Sequence, residues 1–131
     1  MKPYQNAKTE GERLAKQYAN LETVSQIDFF NGLESYYSVL GQDKDQKSIA
    51  VLIEKNGQKI YVYQLESGIS QEKAEAVVRE KGVTDIDKIT FGRYADKPVW
   101  EVQSRGNYYL VDFETGVILE KEKLWNYPNV S

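Results

Sequence analysis

The side chains able to do chemistry in this chain are carboxylates and phenols: 20 Asp and Glu and 10 Tyr, with no histidine and no cysteine. Without histidine the usual general base near neutral pH is missing, and with it every serine–histidine arrangement and the common zinc sites. Without cysteine there are no thiol nucleophiles, thiolate metal sites or disulfides. Two carboxylates suffice for glycoside hydrolysis, but among 20 acids some pair at the required separation arises by chance, so the pattern singles none out. Asp43-Lys44-Asp45 opens like a calcium loop, then lacks the glycine and the bidentate glutamate such a loop needs. A solvated turn is the reading it supports. The glycines fall in no phosphate-binding pattern, and no Gly-x-Ser-x-Gly elbow occurs. The sequence thus offers no catalytic, cofactor-binding or metal-ligating residue, and the chain reads as a non-enzyme.

The phenols point to contact. Tyr36, Tyr37, Tyr61, Tyr63, Tyr108 and Tyr109 all lie in segments that alternate like strands. Tyrosine suits both strands and interfaces, because it joins a large rigid apolar body to one polar tip. In an adjacent pair one ring faces the core and the other faces out. Tyr61 and Tyr63, on a candidate edge strand from Lys59 to Leu65 that could accept a partner's strand, are partner-surface candidates. So are Trp125 and Tyr127 in the tail Leu124-Trp125-Asn126-Tyr127-Pro128, which reads either as a strap or as a docking peptide.

The elements that position these residues are written twice. A first helix is expected from Ala7 to Leu21, with Thr9 and Glu12 as a capping box and Leu14, Tyr18 and Leu21 on its buried face. Strands follow to the Asn31-Gly32 turn, through Tyr36 to Leu40, from Ser48 to Ile53, and from Lys59 to Leu65 after the Asn56-Gly57 hairpin signal. The polar stretch Gly41 to Lys47 reads as an exposed loop. A second helix has Ser70 as N-cap, Ala74, Val77 and Val78 as its buried stripe, and Gly82 as its left-handed stop. Four strands are then expected: Lys88 to Tyr94, Val99 to Ser104, Asn107 to Phe113 and Val117 to Lys121. The register that keeps element counts equal aligns Ile27 with Ile89, Phe29 with Phe91, and Tyr36-Tyr37 with Val99-Trp100.

Length and charge set the outer limits. With 131 residues, each copy of about 60 would hide only ~60% of its unfolded surface alone, so the copies are expected to pack on each other. A net charge of -3 with the signs interspersed leaves no footprint for nucleic acid or anionic lipid. No apolar run reaches the roughly 18 residues that a membrane span needs, and Met1-Lys2-Pro3-Tyr4 lacks the core of a signal peptide.

The segments Ile69-Ser70-Gln71-Glu72-Lys73-Ala74, Val99-Trp100-Glu101-Val102 and Tyr109-Leu110-Val111-Asp112-Phe113-Glu114-Thr115-Gly116-Val117-Ile118 resemble a PepSY domain, in PepSY order. With the preceding helix and the Tyr36-Tyr37-Ser38-Val39 strand, nearly the whole chain resembles the YpmB family, also called TseB, of Gram-positive bacteria. The resemblance implies an α+β fold of tandem cystatin-like or PepSY-like units, each with one helix packed on an antiparallel sheet of about four strands. Residues 1–68 would form an N-terminal TseB-like unit, and residues 69–131 a PepSY-like unit with the aromatic tail. It also implies a non-enzymatic extracytoplasmic domain with no cofactor. Such a domain is held to the cell membrane by an N-terminal helix outside this sequence, and regulates cell-wall elongation by binding a class B penicillin-binding protein. The PepSY resemblance alone supports an alternative, an inhibitor or propeptide-like module directed at a secreted peptidase.

Overall fold

The computed structural model describes residues 3–56 and 59–119 and shows an α+β chain of two units, Met1–Ser67 and Gly68–Ser131. In the first unit α1 (Pro3–Tyr18) precedes β1 (Leu21–Asn31), β2 (Ser35–Asp43), β3 (Ser48–Glu54) and β4 (Ile60–Gln64). These strands form an antiparallel meander in the order β1-β2-β3-β4, and a single 3-10 turn closes the unit at Leu65–Ser67. The second unit has α2 (Gln71–Arg79), then β5 (Lys88–Tyr94), β6 (Lys97–Ser104) and β7 (Asn107–Asp112) in the order β5-β6-β7.

The first helix differs from the sequence expectation at both ends. It begins at Pro3, whose fixed φ suits a first helical position, so Thr9 and Glu12 lie inside the helix and form no cap. Glu12 instead pairs with Lys16 at 3.1 Å. Asn20 takes a left-handed φ of 58°, which stops the helix and makes Leu21 the first residue of β1. The buried face is also different: Gly11, Ala15 and Ala19, four residues apart, face inward, while Tyr18 is 61% exposed. Small residues on this stripe let the helix lie close to the sheet. A Cβ on Gly11 would stand 3.5 Å from the Tyr37 Cβ. Ala15 and Ala19 pack in one cluster with Leu21, Val39, Ile49, Val51 and Ile53, which alternate along their strands as a half-buried sheet requires.

Gly41, expected in a loop, is buried inside β2 opposite Val24. A Cβ there would fall 1.9 Å from the Thr23 carbonyl oxygen, beside one of the register shifts in β1. Only glycine allows that approach, and the strand therefore continues to Asp43. Of the Asn56-Gly57 turn, Gly57 lies outside the described residues.

The second unit follows its sequence closely. The Ser70 Oγ accepts the Lys73 N–H at 3.0 Å, Arg79 sits in the last turn of α2, and Gly82 has φ 97°. Ala74 and Val78 are buried. The hairpins turn on Ala95-Asp96 and Arg105-Gly106, and both residues of each pair have positive φ, as two-residue turns with the right twist require. The sequence placed a break after Tyr94, but Ala95 carries no signal for a positive φ. Among the described residues three strands form where four were expected, and Glu120 and Lys121 of the fourth lie outside them. Among the described residues the returning segment makes a single bridge, Ile118 to Val111, with the Asp112 N–H donating to Val117 O and the Leu119 N–H to Leu110 O.

The two units share one motif. Phe29 opposes Tyr37 across β1 and β2 with ring centroids 5.1 Å apart, and Phe91 opposes Trp100 across β5 and β6 at 5.0 Å. These are the positions that the equal-count register aligns. In the second unit the pair is fully enclosed: Trp100 is 2% exposed, and Phe91 also meets Phe113 edge-on at 5.2 Å. Trp100→Ala is expected to cost about 3–5 kcal/mol of stability. Denaturant unfolding of the variant checks this, and a loss under about 1 kcal/mol would place the ring outside the core.

Candidate functional site

Four of the aspartates, Asp43, Asp85, Asp87 and Asp112, hold turns in place. The Asp43 Oδ1 accepts the backbone N–H groups of Asp45 and Lys47 at 2.9 and 3.0 Å, so the Asp43-Lys44-Asp45 run closes the β2–β3 hairpin as an Asx turn. The Asp112 Oδ1 accepts from the Glu114 and Thr115 N–H groups at 2.8 and 3.1 Å, and the Thr115 hydroxyl oxygen accepts the Val117 N–H. Gly116 supplies φ 81°. The Asp-x-x-Thr-Gly signature is therefore a folding device. Asp87 holds the Arg105 N–H and Asp85 pairs with the Arg105 guanidinium, which clamps the β6–β7 turn to the segment before β5. Among the described residues no cluster of three or more Asp or Glu could hold a metal ion.

A single carboxyl is buried without such a role. Glu101 is 4% exposed and sits opposite Thr90, whose fully buried hydroxyl has no hydrogen-bond partner. Burial pushes the Glu101 carboxyl above its ordinary value of 4.5, against the Gln103 amide that donates to it and the nearby Lys88 charge. Sequence reading passed over Glu101, although a charge between Trp100 and Val102 must occupy the opposite face from the ring.

An open hollow of about 330 Å³ lies where the β1–β2 turn meets the start of the β3–β4 turn. Its lining is Leu33, Glu34, Ser35, Glu54 and Asn56. Glu54 is already engaged, since its Oε1 accepts the Lys59 N–H at 3.4 Å. This leaves a polar dish with no convergent reactive groups.

The tyrosine candidates fall in two groups. Tyr61 and Tyr63 sit on one face of β4, both half-buried, and the Tyr61 ring meets Tyr36 edge-on at 6.2 Å. Their pairing register puts them opposite Leu52 and Ala50. Between them Val62 points to the other face and is 48% exposed. Trp125 and Tyr127 lie outside the described residues.

What sequence reading did not give is which backbone groups of β4 face outward. The Glu54 N–H donates to Lys59 O and the Lys55 N–H to Ser35 O, both at 3.0 Å, which fixes the alternation of hydrogen bonding across the sheet. Tyr61 and Tyr63 therefore bond inward to β3. Ile60 and Val62 turn their N–H and C=O groups outward at the sheet edge, as Gln64 does its N–H, while Gln64 O accepts the Ser67 hydroxyl at 2.7 Å.

With one helix and one antiparallel meander in each unit, the chain belongs to the TseB-like family. Residues 10–54 match the family model described as "Cell wall elongation regulator TseB-like domain". Over 113 residues, 81% of this chain and 70% of its relative, it is 34% identical to the "Probable cell wall elongation regulator TseB" of Bacillus subtilis (strain 168). Among solved structures it resembles the "YpmB protein from Bacillus subtilis", with a TM-score of 0.73 and 30% identity over 92% of this chain and 97% of that one.

The buried carboxyl gives a pH dependence of definite sign. Because folding raises the affinity of Glu101 for its proton, its favourable contribution is complete below the ordinary value of 4.5 and is lost as pH rises through the higher folded value. Glu101→Gln should match the parent in acid and exceed it in stability near neutral pH. Thermal unfolding of both proteins across that range checks this, and parallel profiles would contradict it.

Proposed function

We propose that this chain is the non-enzymatic extracytoplasmic domain of a membrane-anchored regulator of cell-wall elongation, and that it acts by binding a class B penicillin-binding protein. Residues 1–68 serve as the TseB-like unit and residues 69–131 as the PepSY-like unit. The observation that carries this reading is the match to the Bacillus subtilis regulator over most of both chains. Support of a different kind comes from the chain's chemistry: histidine and cysteine are absent, and Asp43 and Asp112 are used up in turns. A domain of this make-up regulates by contact. Among the described residues no helix is long and apolar enough to cross a membrane.

The test is surface-plasmon binding of the chain, tethered by its N-terminus, to the penicillin-binding protein ectodomains of its source organism at physiological salt. Saturable binding to a class B member is the expected result. Absence of binding across the whole set would overturn the reading.

A further inference from the structure

A buried carboxyl and a buried hydroxyl without a partner are each costly, and β5 and β6 place the two side by side. The β5–β6 turn has two residues, so Tyr94 and Lys97 exchange both backbone bonds, and so does every second pair from there: Gly92 with Val99, then Thr90 with Glu101. The Thr90 and Glu101 side chains therefore leave the same face of the sheet with about 5 Å between their Cβ atoms. Both are buried, Thr90 completely. Leu110, opposite Glu101 on β7, and Val99, two residues along β6, are buried too and give this face an apolar lining. The Glu101 Oε1 takes the Gln103 amide, which leaves Oε2 to be satisfied. Among the described residues Thr90 Oγ1 is the buried side-chain polar atom with nothing bonded to it. One unmatched oxygen thus stands across a single ladder position from another.

We propose that the Thr90 hydroxyl is the partner of the Glu101 carboxyl, and that the two form a proton-operated switch in which the hydrogen bond reverses direction as the carboxyl titrates. The last torsion of a glutamate is soft, so its second oxygen reaches a hydroxyl directly across the ladder. Protonated Glu101 donates its O–H to Thr90 Oγ1. When the proton leaves to solvent, the Thr90 O–H turns round and donates to the carboxylate. A hydroxyl serves both states because it has one donor and two acceptor sites. The bond to the anion is the stronger of the two, so Thr90 draws the titration down against the burial that raises it. Lys88, two residues from Thr90 on the same face, acts in the same sense. The other titratable groups on this face are Tyr94 on β5, Lys97 at the far end of β6, and Tyr108 and Asp112 on β7, of which Asp112 is held by the N–H groups of Glu114 and Thr115. The chain enters α2 on the other face, where the Trp100 indole N–H donates to Ile69 O. This inference does not depend on the penicillin-binding protein reading.

NMR titration of the Glu101 carboxyl carbon tests this in the parent chain, in Thr90→Val, which keeps the side-chain shape and loses the hydroxyl, and in Thr90→Ser, which keeps the hydroxyl. The midpoint should rise by about one pH unit in Thr90→Val and stay near the parent value in Thr90→Ser. A midpoint that Thr90→Val leaves unchanged or lowers overturns the proposal, as does a Thr90→Ser midpoint that rises as far as that of Thr90→Val. Thermal unfolding gives a second reading. Above the parent midpoint Thr90→Val should be less stable than the parent, because it leaves a buried carboxylate short of a donor. A Thr90→Val protein more stable than the parent there, the outcome for a hydroxyl that has no partner, overturns the proposal. Should Thr90→Val fail to fold, the Thr90 hydroxyl proton of the parent chain decides the matter. A slowly exchanging signal whose shift follows the Glu101 titration supports the switch, and a shift independent of that titration, or a proton that exchanges too fast to be seen, overturns it.

Discussion

The second unit is organised by the hold that Trp100 and Phe113 have on Ile69, two residues before α2. The Trp100 indole N–H donates to Ile69 O at 3.0 Å, and the Ile69 N–H donates to Phe113 O at 2.8 Å. A helix of nine residues cannot fix its own place by intrinsic helix propensity. Here the chain entering it is tied to the sheet through both backbone groups of one residue, Ile69. The tie is tight enough that residue 68 must be glycine: a Cβ there would come within 2.6 Å of the Phe113 ring and 2.4 Å of its carbonyl oxygen. The same aromatics that make the tie, with Phe91, form the centre of the core, so anchoring and burial are one event. The first unit solves the equivalent problem with a small-residue stripe on α1, and its aromatic pair, Phe29 and Tyr37, stays half-buried.

A consequence runs from this economy to function. With short hairpins and few residues per unit, each turn needs a local closing bond, and Asp43, Asp85, Asp87 and Asp112 supply them. Each of these carboxylates is held in place by the bond it makes to the turn it closes. The β4 strand leaves backbone groups at a sheet edge, which is the geometry that strand pairing uses.

Much of this was legible in the sequence, and the remainder has physical reasons. The caps of α2 were readable because Ser70, Arg79 and Gly82 act locally, and β5 was readable because its turns bound it cleanly. The start of α1 was not, since Thr9 and Glu12 fit a cap equally well on paper and nothing in the sequence says that the helix already began at Pro3. Gly41 looked like a loop residue because the reason for it is a carbonyl in another strand. Ala95 at φ 51° is set by strand twist against its own preference. Of the site, the sequence marked Tyr61 and Tyr63, but which backbone groups of β4 face outward depends on hydrogen-bond alternation across three strands, and side-chain identity does not encode it.

Side chains build this scaffold, and the β4 backbone is its open edge. Amide hydrogen exchange followed by NMR on a dilute sample tests it most directly. The account predicts strong protection of the Ile69 amide and the Trp100 indole, and along β4 an alternation in which Tyr61 and Tyr63 exchange slowly while Ile60, Val62 and Gln64 exchange fast. Uniform protection along β4, or rapid exchange at Ile69 and Trp100, would contradict it.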